Sequence, residues 1–532
     1  MGFTVNRRES RMDRTRTRIL SVAVIGWLLL GTSLLAQNTN SDALYDETYR
    51  PQYHFTPVKN WMNDPNGPVF YKGEYHLFYQ YNPFGNVWGH MSWGHAISRD
   101  LVHWEHLPVA IPEENGIMIF SGSTVVDWHN SSRLCEQANP AEPSCLVAIY
   151  TGHTEKLQTQ NLAYSNDQGR SWTKYSGNPV LDLHIKDFRD PKVFWHEPSH
   201  KWVMVAALPT EHKVRFFGST DLKHWNSLSD FGPAGGTGGV WECPDLFPLP
   251  VEGEAGQTRW VLSINLNPGG LAGGSADQYF VGQFDGTTFV NANPANQVLW
   301  ADYGKDFYAS TSISDIPAAD GGRIWLGWLL NWEYAAKVPT SPWRGVQSIP
   351  RALSLRQFPE GIRLLQSPVG ELETLRANHV LFVERDFATT YGAMLASRLS
   401  GDALEIIAEL ENGNSTEAGI RVRKGKDEAT TIGVDWAKQE VFVDRTRSGE
   451  IAFDARFPGR HAGPLLPTGS KRVKLHIFVD RSSVEVFVNG GATVISDAIF
   501  PSRDSQGIEL YSNGGQARIV KLEVWNLRSA WR

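Results

Sequence analysis

Cysteine is scarce: the chain of 532 residues holds three, and their spacing matches no zinc site. That excludes a disulfide-dense small fold and a structural zinc module. Basic charge is thin as well. Past the first 20 residues there is no long Lys/Arg run and the formal net charge is −7, so nothing points to nucleic acid as a partner. Beyond residue 36 no apolar stretch is long enough to span a bilayer. Long helical periodicity is missing, which leaves strands and turns to build the fold. The hydrophobic fraction of 41% and charged fraction of 20% are those of a folded chain rather than a disordered one. What the sequence does have in quantity is Trp, at 20 residues, a side chain that stacks on sugar rings and equally fills all-β cores.

The N-terminus has its own order. Arg14, Arg16 and Arg18 precede an apolar run from Ile19 to Leu35, which ends at Ala36 before polar residues. Charged, apolar, then small is the order of a secretory signal peptide, placed here at 1–36. The expected location is secreted or periplasmic, without membrane attachment after cleavage; an uncleaved anchor is the alternative. Export implies an oxidising compartment. Cys135 and Cys145 can pair there and leave Cys243 free, or all can stay thiols; the spacing does not decide.

A short motif repeats. Ser98-Arg99-Asp100-Leu101-Val102-His103-Trp104 returns as Ser219-Thr220-Asp221-Leu222-Lys223-His224-Trp225, with Ser165-Asn166-Asp167 to Trp172 between them and a weaker copy at Asp285-Gly286. Each reads as a turn in which Asp accepts backbone N–H groups and Trp packs as the next strand begins. Flanking runs such as Glu74–Tyr81 and Lys201–Val205 alternate like strands. Repeats of about 60 residues over roughly 315 give five units, within the blade range of a β-propeller. The expected fold is all-β: a five-bladed β-propeller over 48–365, then a C-terminal β-sandwich over 380–532. The sandwich rests on short strands at 403–409, 431–436, 473–479 and 484–488, the last closed by the hairpin signal Asn489-Gly490. The Glu-rich stretch through Glu371 and Glu373 to Asn378 reads as a connector.

A propeller gathers its site from one loop per blade, so reactive residues should lie far apart in sequence. Three acids fit. Asp64 lies in Trp61-Met62-Asn63-Asp64-Pro65-Asn66-Gly67, where Pro65 and the turn residues stiffen its exit. Asp190 follows Arg189, which could keep it ionised, and precedes Pro191. Glu242 sits between Trp241 and Cys243 in an apolar stretch, a setting that raises a carboxyl pKa as a general acid needs. Singly, an Asx-turn, a surface ion pair and a satisfied buried Glu would account for them. Together they supply the two carboxylates that glycoside hydrolysis uses without a metal or cofactor. His90 and His95 have no metal-pair spacing; packing or substrate hydrogen bonds suffice for them.

The motif set resembles glycoside hydrolase family 32, the levanases, inulinases and invertases. Its members here are Trp61–Gly67, Gln80-Tyr81-Asn82-Pro83, Trp88-Gly89-His90, Phe120-Ser121-Gly122-Ser123, Arg189-Asp190-Pro191, Glu242-Cys243-Pro244, Asp306-Phe307-Tyr308-Ala309 and Asn331-Trp332, with Val479–Phe487 in the rear domain. The resemblance implies a retaining enzyme that releases terminal β-D-fructofuranosyl units from levan, inulin and sucrose. It makes Asp64 the nucleophile, Glu242 the acid/base and Asp190 the transition-state stabiliser. Asn63, Gln80, Trp88, Phe120, Ser121, Arg189, Tyr308 and Trp332 would bind the fructosyl ring, and the rear sandwich would brace the propeller. Trp195 and Gly273–Phe280 look more like exo-acting inulinases and levanases than plant invertases. A fructosyltransferase on the same residues and a non-catalytic fructan-binding protein are the alternatives. A sialidase would want an arginine cluster and a Tyr nucleophile, which no segment supplies. Arabinan-acting propellers lack the Asn63–Gly67 sequence.

Overall fold

The computed structural model describes residues 1–2, 45–136, 144–254, 256–317, 322–396, 399–467 and 469–531. The proposed signal segment at 1–36 falls almost wholly outside them. Five blades follow in chain order. Blade I holds β1 (Asn60–Tyr71), β2 (Glu74–Asn82), β3 (Ser92–Ser98) and β4 (Trp104–Ile111). Blade II holds β5 (Met118–Asp127), β6 (Cys145–His153), β7 (Gln158–Ser165) and β8 (Thr173–Lys174). Blade III holds β9 (Arg189–His196), β10 (Lys201–Leu208), β11 (Lys213–Ser219) and β12 (Asn226–Phe231). Blade IV holds β13 (Val240–Glu252), β14 (Thr258–Asn267), β15 (Ala276–Phe284) and β16 (Phe289–Asn291), with β17 (Leu299–Trp300) beside β15. Blade V holds β18 (Tyr308–Ser312), β19 (Arg323–Trp328), β21 (Arg351–Phe358) and β22 (Gly361–Pro368). Between β19 and β21, β20 (Trp343–Arg344) pairs in parallel with β1 and ties the last blade to the first.

The first strand of each blade packs on the first strand of the next, β1 on β5, β5 on β9, β9 on β13, β13 on β18 and β18 on β1, which closes the ring. These strands enter from one face. The alternation in the sequence is real but does not mark a wet face, because both faces of a blade are covered. In β10, Trp202, Met204 and Ala206 pack toward one neighbouring blade while Val203 and Val205 pack toward the other. The repeated turns form as their residues require. Asp100 Oδ1 accepts the N–H groups of Val102 and His103 at 3.0 and 2.8 Å, and Asp221 repeats this with Lys223 and His224. Each box Trp donates its indole N–H to a turn carbonyl: Trp104 to Leu101, Trp172 to Gly169 and Trp225 to Leu222.

The rear domain is a six-stranded sheet packed on a five-stranded one around an aliphatic core that includes Leu404, Ile406, Ile420, Val434, Ile477 and Val486. Its first strand, Arg376–Asp386, lies where the connector was expected to end. One helix, Phe387–Ala396, also escaped the sequence reading; Asp386 caps it by accepting the Thr389 N–H at 2.7 Å. Propeller and sandwich meet through buried charge. Asp480 accepts the N–H groups of Gln52 and Tyr53, and His54 bridges Asp480 and Glu485 at 2.8 and 2.9 Å. Arg351 pairs with Glu485 and Asp302, and Arg445 with Asp306. Cys135 and Cys145 form a disulfide, which leaves Cys243 as the free thiol.

Candidate active site

Every axial strand breaks register near its start. The β1–β2 ladder slips between Met62 and Pro65, and β5–β6 between Ile119 and Gly122. The others slip beside Asp190, between Glu242 and Asp245, and between Tyr308 and Thr311. Asp190, Cys243 and Ala309 take left-handed backbone, with φ of 62°, 44° and 55°. Non-glycine residues in that region are strained, and bulges re-aim side chains, so five strands turn their first residues into one mouth.

Asp64 is buried in β1. Its Oδ1 accepts the Asn63 amide at 2.9 Å and its Oδ2 the Ser121 hydroxyl at 2.7 Å. Asn63 is itself held by the Trp61 indole N–H at 2.7 Å. Burial pushes the Asp64 pKa up, while the donated hydrogen bonds pull it down. The Cys243 thiol lies between two acids, 3.5 Å from Asp64 and 3.7 Å from Asp190. Burial raises its pKa well above the ordinary value, so it stays a thiol and donates.

Two electrostatic expectations need correction. Arg189 was expected to keep Asp190 ionised. Its Nε is 3.9 Å from Asp190, while its guanidinium reaches Glu242 at 3.1 Å and Asp187 at 3.3 Å. Burial, with the nearby Glu242 and Asp64 charges, outweighs Arg189 and pushes Asp190 up to about 7. Glu242 was expected in an apolar setting. Instead it receives the Arg189 guanidinium and the Tyr308 hydroxyl. The strand bulge turns it out of the apolar neighbourhood that Trp241 and Leu246 enter.

These groups face a cavity of about 290 Å³. Asn63, Gln80, Ser121 and Asn267 give it a polar side, and Trp88, Phe120 and Trp332 an aromatic one. Phe120 is stacked on His153 at 4.1 Å and Trp332 on Trp61 at 5.9 Å, so the rings are fixed before anything binds. Tyr308 differs from the other expected ring-binding residues: it lies deeper, almost without exposure, and acts on Glu242. Among the described residues no group of His, Cys, Asp or Glu could hold a metal ion.

The chain matches the glycosyl hydrolases family 32 N-terminal domain over residues 54–368 and the C-terminal domain of that family over 371–526. The chain belongs to glycosyl hydrolase family 32. It is 52% identical to a levanase of Bacillus subtilis (strain 168) over 522 residues, covering 97% of this chain and 76% of that protein. It is 41% identical to an extracellular exo-inulinase of Aspergillus niger, covering 92% of this chain and 96% of that one. Among solved structures, exo-inulinase from Aspergillus awamori superimposes with a TM-score of 0.85 at 38% identity, covering 92% of this chain and all of that one.

Sequence reasoning missed Cys243, His153 and Asn267 as parts of this family 32 site. Cys243 stood in a quoted motif, but nothing showed that its backbone turns left-handed. Asn267 begins Asn267-Pro268-Gly269-Gly270, a turn signal that was available.

Asp190 gives a pH prediction. Its folded pKa, about 7, lies above the unfolded value, so the folded chain binds the proton more tightly. That stability is complete below about pH 4 and lost as pH rises through about 7. Asp190→Asn removes the loss. The variant should be more stable than the parent at pH 8 by about 4 kcal/mol, with the gap closing toward pH 4. Melting temperatures at the two pH values check this; a gap that does not change with pH would contradict it.

Proposed function

We propose that this family 32 chain is a retaining exo-fructosidase that releases terminal fructose from levan and inulin and also cleaves sucrose. The observation that carries this is a pair of carboxyl groups, Asp64 and Glu242, lining one small cavity with a polar and an aromatic side. A pocket near 300 Å³ is at the low end for ligand sites and suits one terminal sugar unit, not the middle of a polymer. Asp64 attacks the anomeric carbon of the fructosyl ring. Glu242 gives its proton to the leaving oxygen and then takes one from the water that hydrolyses the fructosyl–Asp64 ester. Asp190, held by the Cys243 N–H at 2.9 Å, hydrogen-bonds ring hydroxyls as positive charge develops. Arg189 and Tyr308 position Glu242.

The fructan substrates come from the names of the relatives. Export is supported by the relative named extracellular and by the Cys135–Cys145 disulfide, which fits an oxidising compartment. No described helix is long and apolar enough to cross a membrane. Early product analysis on levan, inulin and sucrose tests the reading. Fructose as the sole early product from each polymer is expected. A ladder of short oligosaccharides would overturn exo action, and longer chains built from sucrose would point to transfer.

A further inference from the structure

The five axial strands have two ends, and the catalytic cavity occupies one. At the other lies a second cavity of about 460 Å³, larger than the first. It is walled by the final residues of β5 and β9, by Leu246 of β13 and by Ser314 and Asp315 after β18. Lys192 stands between the two cavities, 3.1 Å from Asp245 and donating to the Ser312 carbonyl at 2.6 Å. Nothing in the proposed mechanism uses this distal mouth.

Three tryptophans line it, and each indole N–H is already committed. Trp128 donates to Asp315 at 2.9 Å, Trp195 to Glu197 at 2.6 Å and Trp202 to Ser131 at 2.8 Å. The rings are therefore held in place, and a ligand would not have to order them. Trp128 is nonetheless 47% exposed, a large ring fixed by a hydrogen bond and left facing water. Five charged side chains line the cavity, Lys192 and Arg323 with Asp127, Glu197 and Asp315; Lys192 is paired with Asp245, and Asp127 is taken by Ser131 and the Ser132 N–H. Arg323 makes one hydrogen bond, to the Ile313 carbonyl at 3.3 Å, which leaves most of its donors for a ligand. Arg323 is then left facing Glu197 and Asp315, a mixed lining whose acids repel a phosphate, and among the described residues no group of acids and histidines could hold a metal ion. Carboxylates that accept, a guanidinium that donates and indole faces beside them match a polyhydroxyl ring, with its C–H face on the aromatic and its hydroxyls on the charged groups.

We propose that the distal cavity is a non-catalytic binding site for a sugar unit of a neutral saccharide chain, centred on Trp128 and Trp195. It would hold a polymer on the face opposite the one that cleaves it. Using fructan as the probe rests on the proposed function; the site itself does not. The test uses the full chain carrying Glu242→Gln, so that polymer is not consumed, in native gels containing levan or inulin. Adding Trp128→Ala should weaken retardation by roughly fivefold, the scale of one aromatic contact, and Trp128→Phe should recover part of it. With Glu242 intact, Trp128→Ala should leave kcat/KM on sucrose within about twofold of the parent. Unchanged retardation in Trp128→Ala overturns the site. So does a Trp128→Phe chain that cleaves sucrose normally but binds polymer no better than Trp128→Ala. A parent chain that cleaves no sucrose is a separate failure, that of the proposed function.

Discussion

Glu242→Gln is expected to lower kcat on sucrose by about 10²- to 10⁴-fold, and Asp64→Asn by on the order of 10⁴-fold or more. Both replacements keep shape. In the first the amide oxygen can still accept from Arg189 while its NH2 donates to the Tyr308 hydroxyl, and in the second the amide oxygen can accept from Ser121, so the fold should hold. What disappears is chemistry. A sugar oxygen is a poor leaving group without a proton, and in the proposed mechanism Glu242 supplies it. The two variants should part on a fructosyl donor whose leaving group needs no proton, such as the fluoride. There Glu242→Gln regains most of the first step, while Asp64→Asn, lacking the nucleophile, regains none. Kinetics on both donors check this; equal recovery in the two variants would contradict the assigned roles.

The second large effect concerns stability. Glu485 has almost no exposure and takes Arg351, His54 and the Ile349 N–H at the join of propeller and sandwich. Glu485→Ala leaves the buried Arg351 guanidinium with Asp302 as its one remaining carboxylate and strips His54 of a partner, at a cost of about 3–5 kcal/mol. His54 adds a pH signature. Burial alone would lower its pKa, but the hydrogen bonds to Asp480 and Glu485 outweigh that and raise it to about 9. The folded value lies above the unfolded one, so this stability is complete below about pH 6 and lost as pH rises through about 9. Denaturant melts of parent and variant at pH 6 and pH 10 should show a gap that narrows at the higher value. A variant as stable as the parent at pH 6 would mean that the network does not hold the two domains together.

Much of this was legible because each blade carries its own local chemistry. The Asp and Trp of each turn act within a few residues of one another, so spacing alone revealed them. Asp64, Asp190 and Glu242 stood out for their rigid Pro-containing surroundings, and family resemblance supplied roles that the residues could not. What stayed hidden depends on partners distant in sequence. Arg189 adjoins Asp190 in the chain, yet its guanidinium turns to Glu242, 53 residues away. Strand Arg376–Asp386 buries little besides Phe382, so it shows too weak a pattern to separate from a connector. The distal cavity joins Trp128, Trp195 and Arg323 from three blades, and no motif links them.

The proposed mechanism requires that Asp64 become covalently fructosylated. Mass spectrometry of the Glu242→Ala chain after brief exposure to a fructosyl fluoride tests it most directly, because that donor loads the enzyme while loss of the base slows release. One added fructosyl unit on the peptide containing Asp64 is the predicted result. A label on another residue, or an unlabelled chain releasing fructose of inverted anomeric configuration, would contradict it.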